Sequence, residues 1–590
     1  MPSRKRQRYL KRQADRLGRR EHDEAAGHPS DHWLVYLTAE DIFGPGVELS
    51  MASIALQISK VSLELALSWC AQWVAKLESP TTSHEDVDRE FVDVHFRGVL
   101  RSRILALLRQ PKRVLLNPQT FSVMMKIALE HCRREGPPPS EADVSPLAKA
   151  VLAVPTHLSH DVEDLTEPEL VVDVDGGRMA QYMVANQMFN NPADWRTAWA
   201  VYYRCLREIP RELGNHSRVI DFEAAYLDAT AVPLDDLITV CAVLWARAIN
   251  DNPTLPLDYF EPLRWEPARL AAVLDLIAAS PEFLREALRE DASELGLLWS
   301  TKTFDQFPVV RWENYLTVLR PSWIVNRSTG AWPLYDVRRV LEARGASSEI
   351  SRVSGSIEHA YEHYTLEVLE DLARPGLVYR DDAIRRAYGK KSSVADAAFA
   401  YGPAWVVVEV SARGFQLKTA AGVSEEALTQ DLDHVIRKAR QAEATIDNIR
   451  RDEKALTGAT TPLGARRFFP VVVVASRFAG NPITFTMLNA RLRATGVLQA
   501  ADCAPLEVFE LEDLLAVEGA CERHGYSFLD LLAEKSSVER PLVPMREFLA
   551  HKLGQPAPVP TRVDRAWPEW LNTAIRLLRE GAATDDTGAE

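Results

Sequence analysis

The chain of 590 residues is 46% hydrophobic and 26% charged, with 69 basic against 83 acidic side chains and a net charge of −14. These are the proportions of a globular protein and exclude disorder over most of the length. The acidic balance argues against wholesale coating of a polyanion, though not against a local basic groove. At roughly 150 residues per domain, the length suits about four domains or fewer large ones.

Residues 1–20 hold nine Lys or Arg and one acid, with no apolar run behind them, so no secretory signal is read. Segment 1–30, with its basic stretch Arg4–Arg20, is expected to be a solvated terminus; phosphate contact is the alternative. The runs Phe468–Ala475 and Trp405–Val408 fall far short of the ~20 apolar residues of a membrane-crossing helix. The expectation is a cytoplasmic protein with no membrane partner. Cys70, Cys132, Cys205, Cys241, Cys503 and Cys521 are scattered without a CxxC or a His/Cys cluster, so they read as free thiols rather than a zinc site or disulfides.

Residues 31–345 are expected to be all-α, as one unit or as two subdomains with a break near 137–148. There Pro137-Pro138-Pro139 interrupts the helical pattern. A long apolar segment ends near Leu77, and further helices are expected around Trp195–Leu206, Leu234–Ala248, Pro267–Ala278 and Pro281–Leu297. Trp195, Trp199 and Tyr203 recur every four residues, which is core spacing rather than a ligand box.

The texture changes at about 346. A helix over Ser356–Leu372 precedes strand-like runs at Leu377–Arg380, Val394–Ala400, Trp405–Val410 and Gly414–Thr419. A long helix then starts at the N-cap Ser424, with Glu425 and Glu426 in its first turn, and runs to about Lys454. Phe469–Ala475 reads as a strand buried on both faces, as in a parallel pair. A helix near Met487–Ala494, the strand Leu506–Leu511 and two more helices follow. The fold class is therefore multidomain, an all-α front followed by an α/β part over 346–553 with a mixed sheet flanked by helices. Residues 554–590 are expected to be a proline-rich linker, a short helix and a disordered acidic tail.

The chemistry-bearing residues sit on those strands. Asp396 opens the run Ala397-Ala398-Phe399, and Glu409 ends the valines of Trp405–Val408; 409 − 396 puts them 13 residues apart across one hairpin. Two adjacent antiparallel strands then present both carboxylates on one face. A carboxylate closing a run of valines is costly to bury without a cation, and two converging ones suit a hard cation such as Mg²⁺.

Here the chain resembles the PD-(D/E)XK nuclease superfamily, the restriction-endonuclease-like fold, over about Gly355–Ala475. Glu362 in Tyr361-Glu362-His363-Tyr364, with Glu358 one turn earlier, is similar to the first-helix glutamate. Asp396 resembles the motif aspartate and Glu409 the motif (D/E), while Gln441 resembles a glutamine that follows the core in several branches. Where the superfamily places lysine, this chain has Ser411. Lys418 on the expected next strand is the candidate for a relocated lysine, with Lys390, Lys391 and Arg413 as other cations.

The resemblance implies phosphodiester hydrolysis with Mg²⁺ (or Mn²⁺) as cofactor. Asp396, Glu409, the Val410 carbonyl and the first-helix glutamates Glu362 and Glu358 are the implied metal ligands. Asp396, Glu409, Lys418 and Ser411 form the implied catalytic set, and Arg413, Arg437, Lys438 and Gln441 the nucleic-acid-binding set. The expected partner is nucleic acid, above all DNA, in bacterial defence or DNA processing; a protein partner on the helical region and a homo-oligomer are further expectations. The alternative is a catalytically degenerate nuclease fold that binds nucleic acid or protein.

Other patterns carry less. His157-x-x-His160-Asp161 reads as a surface loop, Asp173-Val-Asp175-Gly176-Gly177 as a tight turn, and Gly389-Lys390-Lys391-Ser392-Ser393 lacks the frame of a P-loop.

Overall fold

The computed structural model describes residues 35–44, 49–134, 143–159, 176–190, 194–214, 216–250, 252–374, 377–389, 394–458, 466–475, 478–537, 542–566 and 572. The basic stretch Arg4–Arg20, His160, Asp173–Asp175, Lys390, Lys391 and the acidic tail lie outside them.

The front is mostly helical, as its 3.6-residue periodicity predicts. Helices α1 (Leu63–Leu77) and α2 (Pro118–His131) are buried along most of their length. They share a core in which Trp69, Trp73, Phe91 and Phe121 meet edge-on or tilted. Next come α3 (Gly176–Asn190), α4 (Trp195–Tyr203), α5 (Leu234–Ile249) and α6 (Pro321–Thr329). Of the stripe Trp195, Trp199 and Tyr203, Trp199 is buried in the core, Trp195 packs at its edge against Trp245 of α5, and Tyr203 is half-buried under Arg207.

The front is not all-α. Val35–Tyr36 (β1) pairs with Arg113–Val114 (β2). A four-stranded mixed sheet is formed by Thr254–Pro256 (β3), Ala278–Ala279 (β4), Val309–Arg311 (β5) and Tyr315–Val318 (β6), in the order β3-β6-β5-β4. With two to four residues each, these strands are too short to show a period of two.

The second sheet has five strands in the order β11-β10-β9-β8-β7: Leu377–Arg380 (β7), Ala397–Ala400 (β8), Ala404–Ser411 (β9), Arg467–Val474 (β10) and Glu507–Glu510 (β11). β7 and β9 each run antiparallel to β8, which lies between them, while β9, β10 and β11 are parallel. Hence β10 is apolar and buried on both faces from Phe468 onward. Pro470 is tolerated in this central strand because Phe468 N–H donates to Asp502, so the imino nitrogen two residues on faces the same side, before the β11 pairing starts at Val471.

Alternation along β9 divides the core. Trp405 and Val407 face one side, where α10 (Glu425–Thr457) lays down Leu428, Leu432, Val435, Ile436, Ala439 and Ile446. Val406, Val408 and Val410 face the other, against α7 (Ser347–Leu372) and α12 (Leu511–His524). Between these, α8 is Asp381–Tyr388, α9 is the single turn Leu417–Ala420, and α11 is Pro482–Thr495. Ser424 caps α10 by accepting from Ala427 N–H at 3.1 Å. Both faces also take residues from the front, Ala180 and Val184 of α3 on the α10 side and Ala200, Val201 and Cys205 on the other. Gly422, at φ +66°, lies against α3, where a Cβ would stand 3.0 Å from the Gln181 carbonyl oxygen.

The expected strand Gly414–Thr419 does not form. Asp431 on α10 accepts from Gln416 N–H at 2.8 Å and from the Thr419 hydroxyl at 2.7 Å, which winds the segment into α9 beside the helix. Segment 554–560 leaves α13 (Met545–Leu553) and crosses α12 at Gly519, where a Cβ would fall 1.8 Å from the Pro558 carbonyl oxygen. Cys70, Cys132, Cys205 and Cys241 are buried thiols. No single helix among the described residues is long and apolar enough to cross a membrane.

Candidate functional site

Antiparallel register places the two strand carboxylates together. Ala397 pairs with Val408, so Asp396 stands opposite Glu409 one residue further along. Asp396 Oδ2 accepts the Val410 N–H at 2.7 Å, where β8 ends and leaves that donor free of the ladder. Since N–H and C=O of one residue leave a strand on the same side, the Val410 carbonyl is directed there too.

Glu409 is 1% exposed. Lys438, on α10, brings its Nζ to 2.9 Å from Glu409 Oε2. The other oxygen, Oε1, is buried with no hydrogen-bond partner among the described residues. Burial, and then the charge of Asp396, push the Glu409 carboxyl up to about 8. Burial likewise raises Asp396, against the pull of Lys438 and the Val410 N–H. Glu362, half-buried on α7, is raised by burial and by Asp396. Burial alone would lower Lys438, but Glu409, Asp396 and Glu362 outweigh it and raise the ammonium. Three carboxylates thus surround one ammonium, a formal charge of −2 when all are ionised.

Ser411 is not part of this cluster. Its hydroxyl donates to the Arg413 carbonyl at 3.1 Å, accepts the Arg413 N–H at 3.2 Å and meets His434 Nε2 at 2.8 Å. Glu409 and Ser411 share a face two residues apart on β9, and Lys438 and His434 share a face four apart on α10, so helix and strand match rung by rung. Burial and the cations Arg413, Arg437 and Lys438 lower His434 to about 4, so it is a neutral ring.

Lys418, expected as the relocated lysine, is exposed on α9, and its ammonium has no partner among the described residues. The position fails because the segment that carries it is not a strand of the sheet. Lys438, expected on the nucleic-acid face, instead points into the carboxylates. Its place three residues after Val435, at the border of the apolar stripe, is the signal in the sequence that marks it as sheet-facing.

Arg413 is 47% exposed and lies 3.3 Å from Asp431, and exposed Arg437 meets His434 at 3.2 Å. Gln441 is half-buried one turn beyond Lys438. Glu358 is exposed and lines a cleft of about 600 Å³ between the helical front and the carboxyl ends of β9 and β10; Arg413 and Phe478 line it as well. Sequence reading missed this cleft, because its walls come from segments more than 200 residues apart. His157 Nε2 donates to the Leu49 carbonyl at 2.7 Å.

Among the described residues, no group of three or more His, Cys, Asp or Glu side chains is arranged to hold a metal ion. The donors that do converge, two strand carboxylates and a main-chain carbonyl, are hard oxygens that leave a metal its waters, as Mg²⁺ prefers. The partnerless Oε1 of Glu409 fits such an ion. Comparison of the chain with family models, curated proteins and solved structures finds no match.

Proposed function

We propose that this chain is a Mg²⁺- or Mn²⁺-dependent nuclease of the PD-(D/E)XK type, hydrolysing phosphodiester bonds in nucleic acid, with DNA the expected substrate. The observation that carries this reading is the pairing of Asp396 and Glu409 across β8 and β9 with the Lys438 ammonium at Glu409. The strand order and directions, with α7 ahead of the sheet and α10 after β9, support it. A formal charge of −2 in a cluster centred on the buried Glu409 calls for a divalent cation or for protons.

Asp396, Glu409 and the Val410 carbonyl would hold the metal, with Glu362 as an outer ligand. When bound, the ion supplies the Lewis acidity that generates hydroxide from water and stabilises the leaving oxyanion. Lys438 offsets the negative charge that builds on the phosphoryl oxygens, the role for which the motif lysine is absent at Ser411. Arg413 and Arg437 flank the cluster and neutralise neighbouring phosphates without reading sequence.

The second reading, a nuclease fold that binds without cleaving, is favoured by one observation: His434 and the Arg413 main chain occupy Ser411. Cleavage of supercoiled plasmid, single-stranded DNA and RNA with Mg²⁺ or Mn²⁺ decides between them. Metal-dependent cleavage lost in Glu409→Ala and in Lys438→Ala supports the nuclease. No cleavage, with DNA retardation indifferent to Glu409→Ala, leaves the binding module.

A further inference from the structure

We infer that the cleft of about 600 Å³ seats one unstacked nucleotide of the bound strand, next to the phosphate held at the carboxylate cluster; this rests on the nuclease reading. Two elements step from cluster to cleft by the same count. On α7, Glu362 belongs to the cluster and Glu358, one turn earlier, lines the cleft. A four-residue helical step is about 6 Å, about the span of one nucleotide unit. After Glu409 on β9, Arg413 lines the same cleft four residues on.

The volume lies in the range of small-molecule sites, roughly 300–1,000 Å³. It admits a base with its sugar and excludes a duplex, so a paired base enters only by leaving its stack. Trp299, Tyr335 and Tyr361 put aromatic rings in its wall, and base stacking on such rings is tolerant of sequence.

The polar groups in the wall favour a base over an apolar ligand. Glu358 makes no ion pair or hydrogen bond with any described residue. Arg338 Nε and Ser300 Oγ are buried without a partner among the described residues. Buried polar atoms without partners are costly, so these two mark a polar wall, and the exposed Glu358 carboxylate is the group a base edge reaches. A carboxylate accepts from an exocyclic amino group, so Glu358 selects adenine, cytosine or guanine over thymine, which has none.

Calorimetry on the full chain with dCMP, dAMP and dTMP, repeated against a short single-stranded oligonucleotide, tests this. The expected result is dCMP and dAMP binding about tenfold tighter than dTMP, a preference lost in Glu358→Gln, with dCMP competing against the oligonucleotide. Equal binding of dTMP, or a preference unchanged in Glu358→Gln, overturns the seat. Binding of dCMP that does not compete with the strand assigns the cleft to a free nucleotide and also overturns it. Glu409→Gln separates the two readings. Cleavage without Glu358-dependent dCMP binding removes the seat alone. Competitive dCMP binding in a chain that never cleaves removes the nuclease alone and keeps a nucleotide seat for a bound strand.

Discussion

Lys438 reaches Glu409 across 29 residues of chain, Nζ to Oε2 at 2.9 Å, from a helix that meets the strand rung by rung. Removing the ammonium leaves a buried carboxylate without its cation. Lys438→Met is expected to cost about 3 kcal/mol of stability in metal-free buffer above pH 8, where Glu409 is ionised, the scale of a broken buried pair. Glu409→Gln with Lys438→Met should recover most of that. Urea unfolding of the two single variants and the double variant measures the coupling, which should be about 0.5–3 kcal/mol and would be near zero if the contact were incidental.

Ser411 occupies the position at which the resembled superfamily carries lysine. In a Lys438→Ala background, Ser411→Lys is expected to restore part of the metal-dependent plasmid cleavage, since it returns an ammonium to the same face of β9. Displacing the His434 contact should cost about 1–3 kcal/mol from overpacking. A double variant that folds and stays as inactive as Lys438→Ala contradicts the role given to Lys438.

Leu432 is fully buried under the sheet. Leu432→Ala is expected to destabilise by about 2–5 kcal/mol, through lost transfer energy and the cavity left behind. Chemical denaturation reads this directly, and a loss below 1 kcal/mol would mean that α10 is not seated on β9 and β10 as described.

Gly422 has φ +66° and stands under α3. Gly422→Ala is expected to cost about 1–2 kcal/mol from the left-handed backbone alone, and more from the approach to Gln181 and Ala185. A thermal midpoint unchanged from wild type would mean that α3 does not press on this turn.

His95 packs against Trp69, Trp73 and Phe91, with ring centroids 5.4, 5.6 and 4.8 Å away. Burial, helped by Arg97, lowers it to about 4 from 6.5. The folded state therefore holds this ring neutral while the unfolded chain begins to take up a proton near pH 6.5. Above 6.5 the group contributes no pH dependence, and between about 6.5 and 4 stability falls as pH falls. His95→Gln should flatten that part of the stability–pH curve, which urea titrations at pH 7, 6 and 5 would show.

The second half of the chain is legible where periodicity is strong. The α10 stripe from Leu428 to Ile449 and the valines of β9 and β10 give their elements to within a few residues, because both are set by burial of whole faces. Asp396 and Glu409 are legible as a pair because hairpin register follows from the alternation. Lys418 lies away from its expected strand for a local reason: Gly414–Thr419 alternates like a strand, and only the tertiary contact with Asp431 turns it into a helix. The small front sheet, the turn of Lys438 towards Glu409 and the cleft depend on contacts between distant segments, which no local pattern encodes.

The seating of α3 and α4 on the five-stranded sheet sets an order of events during synthesis. Cys205 leaves the ribosome long before Phe399, the strand residue with which it shares a core. At about 5–20 residues per second, the apolar faces of α3 and α4 stay without their cover for on the order of 10–40 s. For that interval a nascent chain exposes the surface that chaperones bind, and slower translation of the segment after α7 is expected to raise the aggregated fraction.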